Sequence, residues 1–250
     1  MTYDNVFGLM TNADKNHIRL DIINQAIETW RGQHTDGRMP LFRCLTLPGT
    51  DFVFERMLTD VAAYHGMNIR FDCFEEDEQL FNEAQPNVPE NVTYTRAGIE
   101  TAAGTYDLIW ADYCVTLELQ RMQTVIQLAA GSVRSCLVYV TCCMNRRDYR
   151  KFGRQLGIVA DTAKQVVEAA MERQLQALGV FKHIYGVYYA GGRQRKTAMM
   201  ALGYLLTRHA YVPKIIIEDR TLAGFAAATA VRPQRKRRRC KREDDQRTGI

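Results

Sequence analysis

Short, nearly unbroken apolar runs alternate with stretches of helical periodicity along most of this chain, and that alternation restricts the fold more than any other feature. Residues 41–47 form the first run, bounded by Pro40 and Pro48-Gly49; residues 68–74 form a second, broken by the acidic stretch 75–78. Residues 91–95, 106–111 and 136–142 complete a set of five, the last being the most apolar. Between them lie helical faces. Ile18, Ile22, Ile23, Ala26, Ile27 and Trp30 make one, stopped by Gly32; Phe54, Met57, Leu58, Val61 and Ala62 make another, with Asp51 as its cap and Gly66 at its end. Leu119, Met122, Val125, Ile126 and Ala129 follow, closed by Gly131; Val159, Ala163, Val166, Val167, Ala170, Met171, Leu175 and Leu178 form the last, with Gly179 as its stop. Strands apolar on both faces and separated by helices predict a parallel sheet covered on both sides. The final two runs, 183–190 and 197–206, are joined by Gly191-Gly192 and a few residues, too short for a crossover, so they are expected to be antiparallel.

Composition removes several classes of function. With 46% apolar and 24% charged residues over 250 positions, the chain has the makings of a packed core and is not disordered throughout. No stretch reaches the length of apolar sequence that spans a membrane, and the opening residues lack a basic region leading into an apolar one, so an intracellular protein is expected. The net charge of +5 is unevenly placed. Residues 232–250 hold nine Lys/Arg and three Asp/Glu, leaving 24 basic and 25 acidic residues in 1–231. One domain over 1–231 is expected, with an N-terminal helix at 15–31 and a sheet core at 40–207, followed by a basic tail. The seven cysteines (44, 73, 114, 136, 142, 143 and 240) are odd in number and contain no C-x-x-C, which argues against a disulfide framework and structural zinc; no metal is expected.

In an open α/β sheet the ligand sits outside the carboxyl ends of the strands. Those ends carry Leu47-Pro48-Gly49-Thr50, Glu75-Glu76-Asp77, Arg96-Ala97-Gly98 and Asp112-Tyr113-Cys114. Gly49 permits close backbone approach, a carboxylate ending the second strand accepts ribose hydroxyls, and an acid beside an aromatic can orient a reacting group.

Five parallel strands, a closing antiparallel pair and an acidic end to the second strand resemble the class I S-adenosylmethionine-dependent methyltransferases, in particular the methyltransferase-like proteins of viral and archaeal genomes. The segments that carry the resemblance are Leu45-Thr46-Leu47-Pro48-Gly49, Phe74-Glu75-Glu76-Asp77, residues 106–114 and Val138-Tyr139-Val140-Thr141-Cys142-Cys143, within 40–207. The resemblance implies a Rossmann-like three-layer α/β sandwich with a mostly parallel seven-stranded sheet, and S-adenosylmethionine as cofactor. It implies that Leu47, Pro48 and Gly49 face the methionine part, that Glu75 (or Glu76) holds the ribose, and that Ala97, Gly98 and Ile99 lie beside the adenine. Asp112 and Tyr113 would border the transferring methyl. The family's loop after the first strand holds two or three glycines, where this chain has Gly49 alone. Related ribose methyltransferases use a Lys-Asp-Lys-Glu set; Lys15, Asp112 and Lys151 or Lys164 match three members, but 184–211 contains no acid to close it, so a base amine is favoured over a ribose 2′-hydroxyl.

Other readings stay open at this level. Asp112 also suits a helix cap, and 75–78 a solvated helix start. A catalytically silent methyltransferase fold, used as a nucleic-acid-binding or assembly module, accommodates the single glycine. Gly191 to Thr197 echoes a phosphate-binding loop, although Arg195 stands where its second glycine belongs; that reading requires 198–206 to be helical. Otherwise Arg193, Arg195 and Lys196 tip a hairpin and meet nucleic-acid phosphates, as do Arg235, Lys236, Arg237, Arg238, Arg239, Lys241 and Arg242, a run that also resembles a nuclear-import signal.

Overall fold

The computed structural model of the chain describes residues 13–33, 40–132, 135–143, 146–160, 162–176, 181–191, 197–207 and 215–219. In chain order these form α1 (Ala13–Gln33), β1 (Phe42–Thr46), α2 (Val53–Tyr64), β2 (Ile69–Phe74), α3 (Glu78–Ala84), β3 (Val92–Thr95), β4 (Leu108–Thr116), α4 (Leu119–Ala130), β5 (Cys136–Cys143), α5 (Arg146–Leu156), α6 (Ala163–Gln176), β6 (Phe181–Gly191), β7 (Thr197–Leu206) and β8 (Ile216–Asp219). One sheet runs β3-β2-β1-β4-β5-β7-β6-β8. The first five strands are mutually parallel, and β7 lies antiparallel to both β5 and β6. All seven expected strands are present in a Rossmann-like sandwich, and β8 adds a short parallel edge beside β6 that the sequence reading did not anticipate.

Alternation along the strands sorts the core into two layers. Phe42 and Cys44, Leu108 and Trp110, and Leu137 and Tyr139 face α1 and α2; Leu45, Ile109, Ala111, Val138 and Val140 face α4, α5 and α6. Gly203 on β7 shows how tightly the first layer closes. A Cβ there would stand 2.5 Å from Tyr139 Cε1 and 2.7 Å from Tyr185 Cβ, so only glycine lets both rings pack.

Three local expectations are corrected. The helix expected over the face Val159 to Leu178 begins only at Ala163, as α6, and a separate helix that was not expected, α5, precedes it. α5 is strongly charged and buries only Tyr149, Phe152 and Gly153 within its described side chains, a face too narrow for its periodicity to stand out; Gly157, at φ +65°, ends it, and Val159 is fully exposed in the link. Asp51 does not cap α2. The chain turns left-handed one residue later at Phe52 (φ 50°), which occupies the cap position without a side-chain bond. Residues 197–206 form a strand, not a helix, so the phosphate-loop reading lacks the helix that would face its ligand and is excluded. Arg193, Arg195, Lys196 and the run 235–242 lie outside the described residues, as does Gly179. Among the described residues no helix is long and apolar enough to cross a membrane.

Candidate functional site

The chain runs from β1 outward through β2 to β3, then returns to β4 and β5 on the other side of β1. The crevice that this reversal leaves, at the carboxyl ends of β1 and β4, is where an α/β sheet holds ligands. A cleft of about 630 Å³ occupies it. Leu47, Pro48, Gly49, Glu75, Glu76, Ala97, Gly98, Ile99, Asp112 and Tyr113 all line it. Every strand-end residue singled out from the sequence as facing cofactor or methyl is thus brought to one place.

Each wall follows from local chemistry. Leu47 leaves β1 still tied to β4, its amide donating to the Trp110 carbonyl at 3.3 Å, and the Phe52 amide turns back to the Gly49 carbonyl at 3.2 Å. The left-handed Phe52 is strained for a bulky side chain, and its fully buried ring, edge-on to Tyr94 at 5.1 Å, holds it there. On β2 the question of the acidic stretch resolves by position. Asp77 is the helix cap, its Oδ1 accepting from the amides of Gln79 and Leu80. Glu75 is half-buried at the strand end, Oε1 accepting from the Asp77 amide at 2.8 Å, and Glu76 is exposed. Burial pushes the Glu75 carboxyl above its ordinary value, opposed by that amide. Gly98 opens a 3-10 turn at Ile99–Thr101, and a side chain there would collide with the Glu100 carboxylate.

The fourth strand carries the least ordinary geometry. Asp112 is not a helix cap: β4 continues through it to Thr116. Asp112 pairs with Thr141 and Thr116 pairs with Cys143, so four steps along β4 match two along β5. The register shift follows Asp112; Asp112 turns to the α1 side of the sheet and Tyr113 to the α4 side, and both line the cleft at the carboxyl end of β4. Asp112 Oδ2 is 2.9 Å from the Lys15 ammonium of α1, with both side chains about nine-tenths buried (12% and 10% exposed). Among the described residues its Oδ1 has no hydrogen-bond partner, and neither has the Tyr113 hydroxyl. Burial pushes the Tyr113 phenol up to about 12, opposed by Arg121, whose guanidinium lies 5.3 Å from the ring centroid. The phenol is therefore neutral at physiological pH.

The sequence reading missed Tyr94, Glu100, Glu118, Gln120, Arg121 and Thr124 as lining residues. For the last three a signal existed: Gln120, Arg121 and Thr124 share one helical face beside the apolar stripe of α4. Carboxylates dominate the lining, with Glu75, Glu76, Glu100, Asp112 and Glu118 against Arg121. Among the described residues no three His, Cys, Asp or Glu are grouped to hold a metal ion.

Sheet and cleft together define a Rossmann-like α/β protein with a ligand-sized cleft at the point where its strand order reverses. No family model and no curated protein matches the chain. Among solved structures it is similar to magnesium protoporphyrin IX methyltransferase from Synechocystis PCC 6803 with bound SAH (15% identity, 81% of this chain, 95% of that one, TM-score 0.45). It is also similar to the plantazolicin methyltransferase BpumL with SAH and a monoazolic desmethylPZN analogue (11%, 81% and 88%, 0.47). A third likeness is to a chain of a fibrillarin/Nop5p complex (11%, 72% and 81%, 0.45).

Proposed function

We propose that the cleft binds S-adenosylmethionine and directs its methyl group to an amine nitrogen, with a nucleic-acid base as the acceptor. The observation that carries the reading is the pair of buried, unpartnered polar atoms, Asp112 Oδ1 and Tyr113 Oη, in the lining of the cleft. Buried polar atoms without partners are uncommon, and their place in the lining suits a ligand that supplies them.

The cleft fits the cofactor. Its volume is that of a small-molecule site, and the surplus of carboxylates suits a ligand bearing a sulfonium and an ammonium. Glu75 keeps Oε2 for the ribose because Oε1 is taken by the Asp77 amide. Phe74, Ala97 and Ile99 offer an apolar wall for adenine, with Gly98 between them, and Leu47, Pro48 and Gly49 flank the methionine part. When bound, the cofactor supplies a methyl already activated on sulfur, which transfers in line as its C–S bond breaks and a C–N bond forms, sulfur keeping the electron pair. The protein's part is alignment. Asp112 Oδ1 accepts an acceptor N–H, turning the nitrogen lone pair toward the methyl, and takes the proton released as the nitrogen gains its new bond. Neutral Tyr113 accepts or donates one further hydrogen bond. Of the two lysines that could complete a ribose-methylating set, Lys164 has its Nζ engaged 4.1 Å over the Tyr188 ring.

The nucleic-acid target rests on the basic run at 235–242 and on Arg193, Arg195 and Lys196, with 232–250 acting as an arm separate from the 1–231 domain inside a cell. The acidic cleft mouth repels phosphates, so such an arm would hold the backbone while a base enters. The test is transfer of labelled methyl to single-stranded DNA, duplex DNA and RNA, with and without residues 232–250. The reading expects label on a base amine, with weaker binding and a flatter salt dependence after truncation. Nucleic-acid binding without transfer would support the silent module, which the single glycine of the first loop favours.

A further inference from the structure

Lys15 and Arg19 stand four residues apart on α1, one helical turn, and so share a face. Both are nearly buried. Lys15 is ion-paired with Asp112 of β4. Arg19 donates to Asn16 Oδ1 at 2.8 Å and lies in electrostatic range of Glu55, the fully buried first-turn acid of α2, which also feels Asp112. The Thr46 hydroxyl donates to Glu55 Oε1 at 2.5 Å. Two cations of the N-terminal helix thus meet two acids that belong to the sheet and to the helix after the cleft loop.

We infer that Lys15 is a positioning residue for methyl transfer. By holding Asp112 Oδ2 it fixes the carboxylate's rotation and leaves Oδ1 turned to the acceptor, which makes the docked N-terminal helix part of the acceptor site. The inference rests on the methyltransferase reading of the cleft. Oδ2 is held by the Lys15 ammonium, while Oδ1, buried in the lining, has no hydrogen-bond partner among the described residues. The cationic residue of the lining, Arg121, lies over the Tyr113 ring. Geometry lost here is expensive, because small misplacements of a reacting group cost on the order of 100-fold in rate.

Lys15 is also separable from the docking of its helix. Ile18, Ile22, Ile23, Ala26, Ile27 and Trp30 are buried. Farther along α1, the Tyr139 hydroxyl donates to Gln25 at 2.5 Å, the Tyr185 hydroxyl donates to Asp21 at 3.0 Å, and Gln25 donates to the Ile184 carbonyl. Lys15→Met therefore leaves the helix seated.

The test uses Lys15→Met and Lys15→Arg, each alone and combined with Asp112→Asn, in the full chain, reading S-adenosylmethionine affinity, kcat and KM for the acceptor. Expected are a fall in kcat of about 10- to 100-fold for Lys15→Met, cofactor affinity within about twofold, and recovery of most activity in Lys15→Arg. In the Asp112→Asn background Lys15→Met should cost nothing further, since residues acting as a unit are not additive. An equal loss in both backgrounds, or no recovery with arginine, overturns the inference. If the wild type transfers no methyl, the methyltransferase reading is what fails. Lys15→Met, Asp112→Asn and the double variant, followed by urea unfolding, separately test the ion pair on which the inference rests, and additive losses refute it.

Discussion

Glu75→Gln isolates the ribose contact in the proposed cofactor site. In the wild type Oε1 is occupied by the Asp77 amide at 2.8 Å, and glutamine keeps a carbonyl oxygen for that bond, so the end of β2 and the cap of α3 stay intact. What changes is the second oxygen, which becomes an amide NH₂ and turns a charged acceptor into a donor. A hydrogen bond to a charged group is worth about 1.5–3 kcal/mol. At 1.4 kcal/mol per decade that is roughly 10- to 150-fold weaker cofactor binding. The assay is isothermal titration with S-adenosylmethionine, with Glu76→Gln as control; Glu76 is exposed and should change affinity less than about threefold. The titration also has a pH signature. Burial raises the Glu75 carboxyl, so wild-type affinity should start to fall on acidification above the ordinary glutamate range, and the Glu75→Gln affinity should stay level there. A Glu75→Gln affinity within threefold of wild type, or a larger loss in Glu76→Gln, would refute the reasoning.

Asp112→Ala should abolish methyl transfer while cofactor affinity stays within several-fold; undiminished turnover would remove Asp112 from the reaction. Gly203→Ala should destabilise the fold by about 1–3 kcal/mol through overpacking against Tyr139 and Tyr185, read as a lowered urea midpoint, and an unchanged midpoint would contradict the tight first layer. Glu55→Gln should stabilise the protein at neutral pH. Burial raises the Glu55 carboxyl, so the folded state holds this proton more tightly than the unfolded chain, and the group's contribution is lost as pH rises through its folded value. The variant's advantage in melting temperature should therefore shrink as pH falls through the raised folded value toward the ordinary glutamate range and level off below it; a gap independent of pH would contradict the burial argument.

What the sequence made legible was whatever periodicity and punctuation encode. Strands such as 136–143 are apolar on both faces and could be little else, and Pro48-Gly49 and Glu75 mark strand ends by chemistry alone, whereas Asp112, read as the end of the fourth strand, lies within β4. The bulge after Asp112 was not legible, because two extra residues in an apolar strand leave the pattern of composition unchanged while shifting the register against β5. Helix α5 escaped because Tyr149, Phe152 and Gly153, the buried positions among its described side chains, stand among many charges. The Lys15–Asp112 contact joins residues almost a hundred positions apart, and only the packing of α1 across the sheet brings them together. The left-handed Phe52 likewise gave no sign, since such backbone is ordinarily signalled by glycine or asparagine.

The measurement that bears most directly on the central claim is isothermal titration of the full chain with S-adenosylmethionine, set beside ATP with magnesium. The account predicts one cofactor molecule bound per chain in the micromolar range, with heat abolished or strongly reduced in Glu75→Gln, and no binding of ATP. Absence of S-adenosylmethionine binding to a folded protein would contradict it.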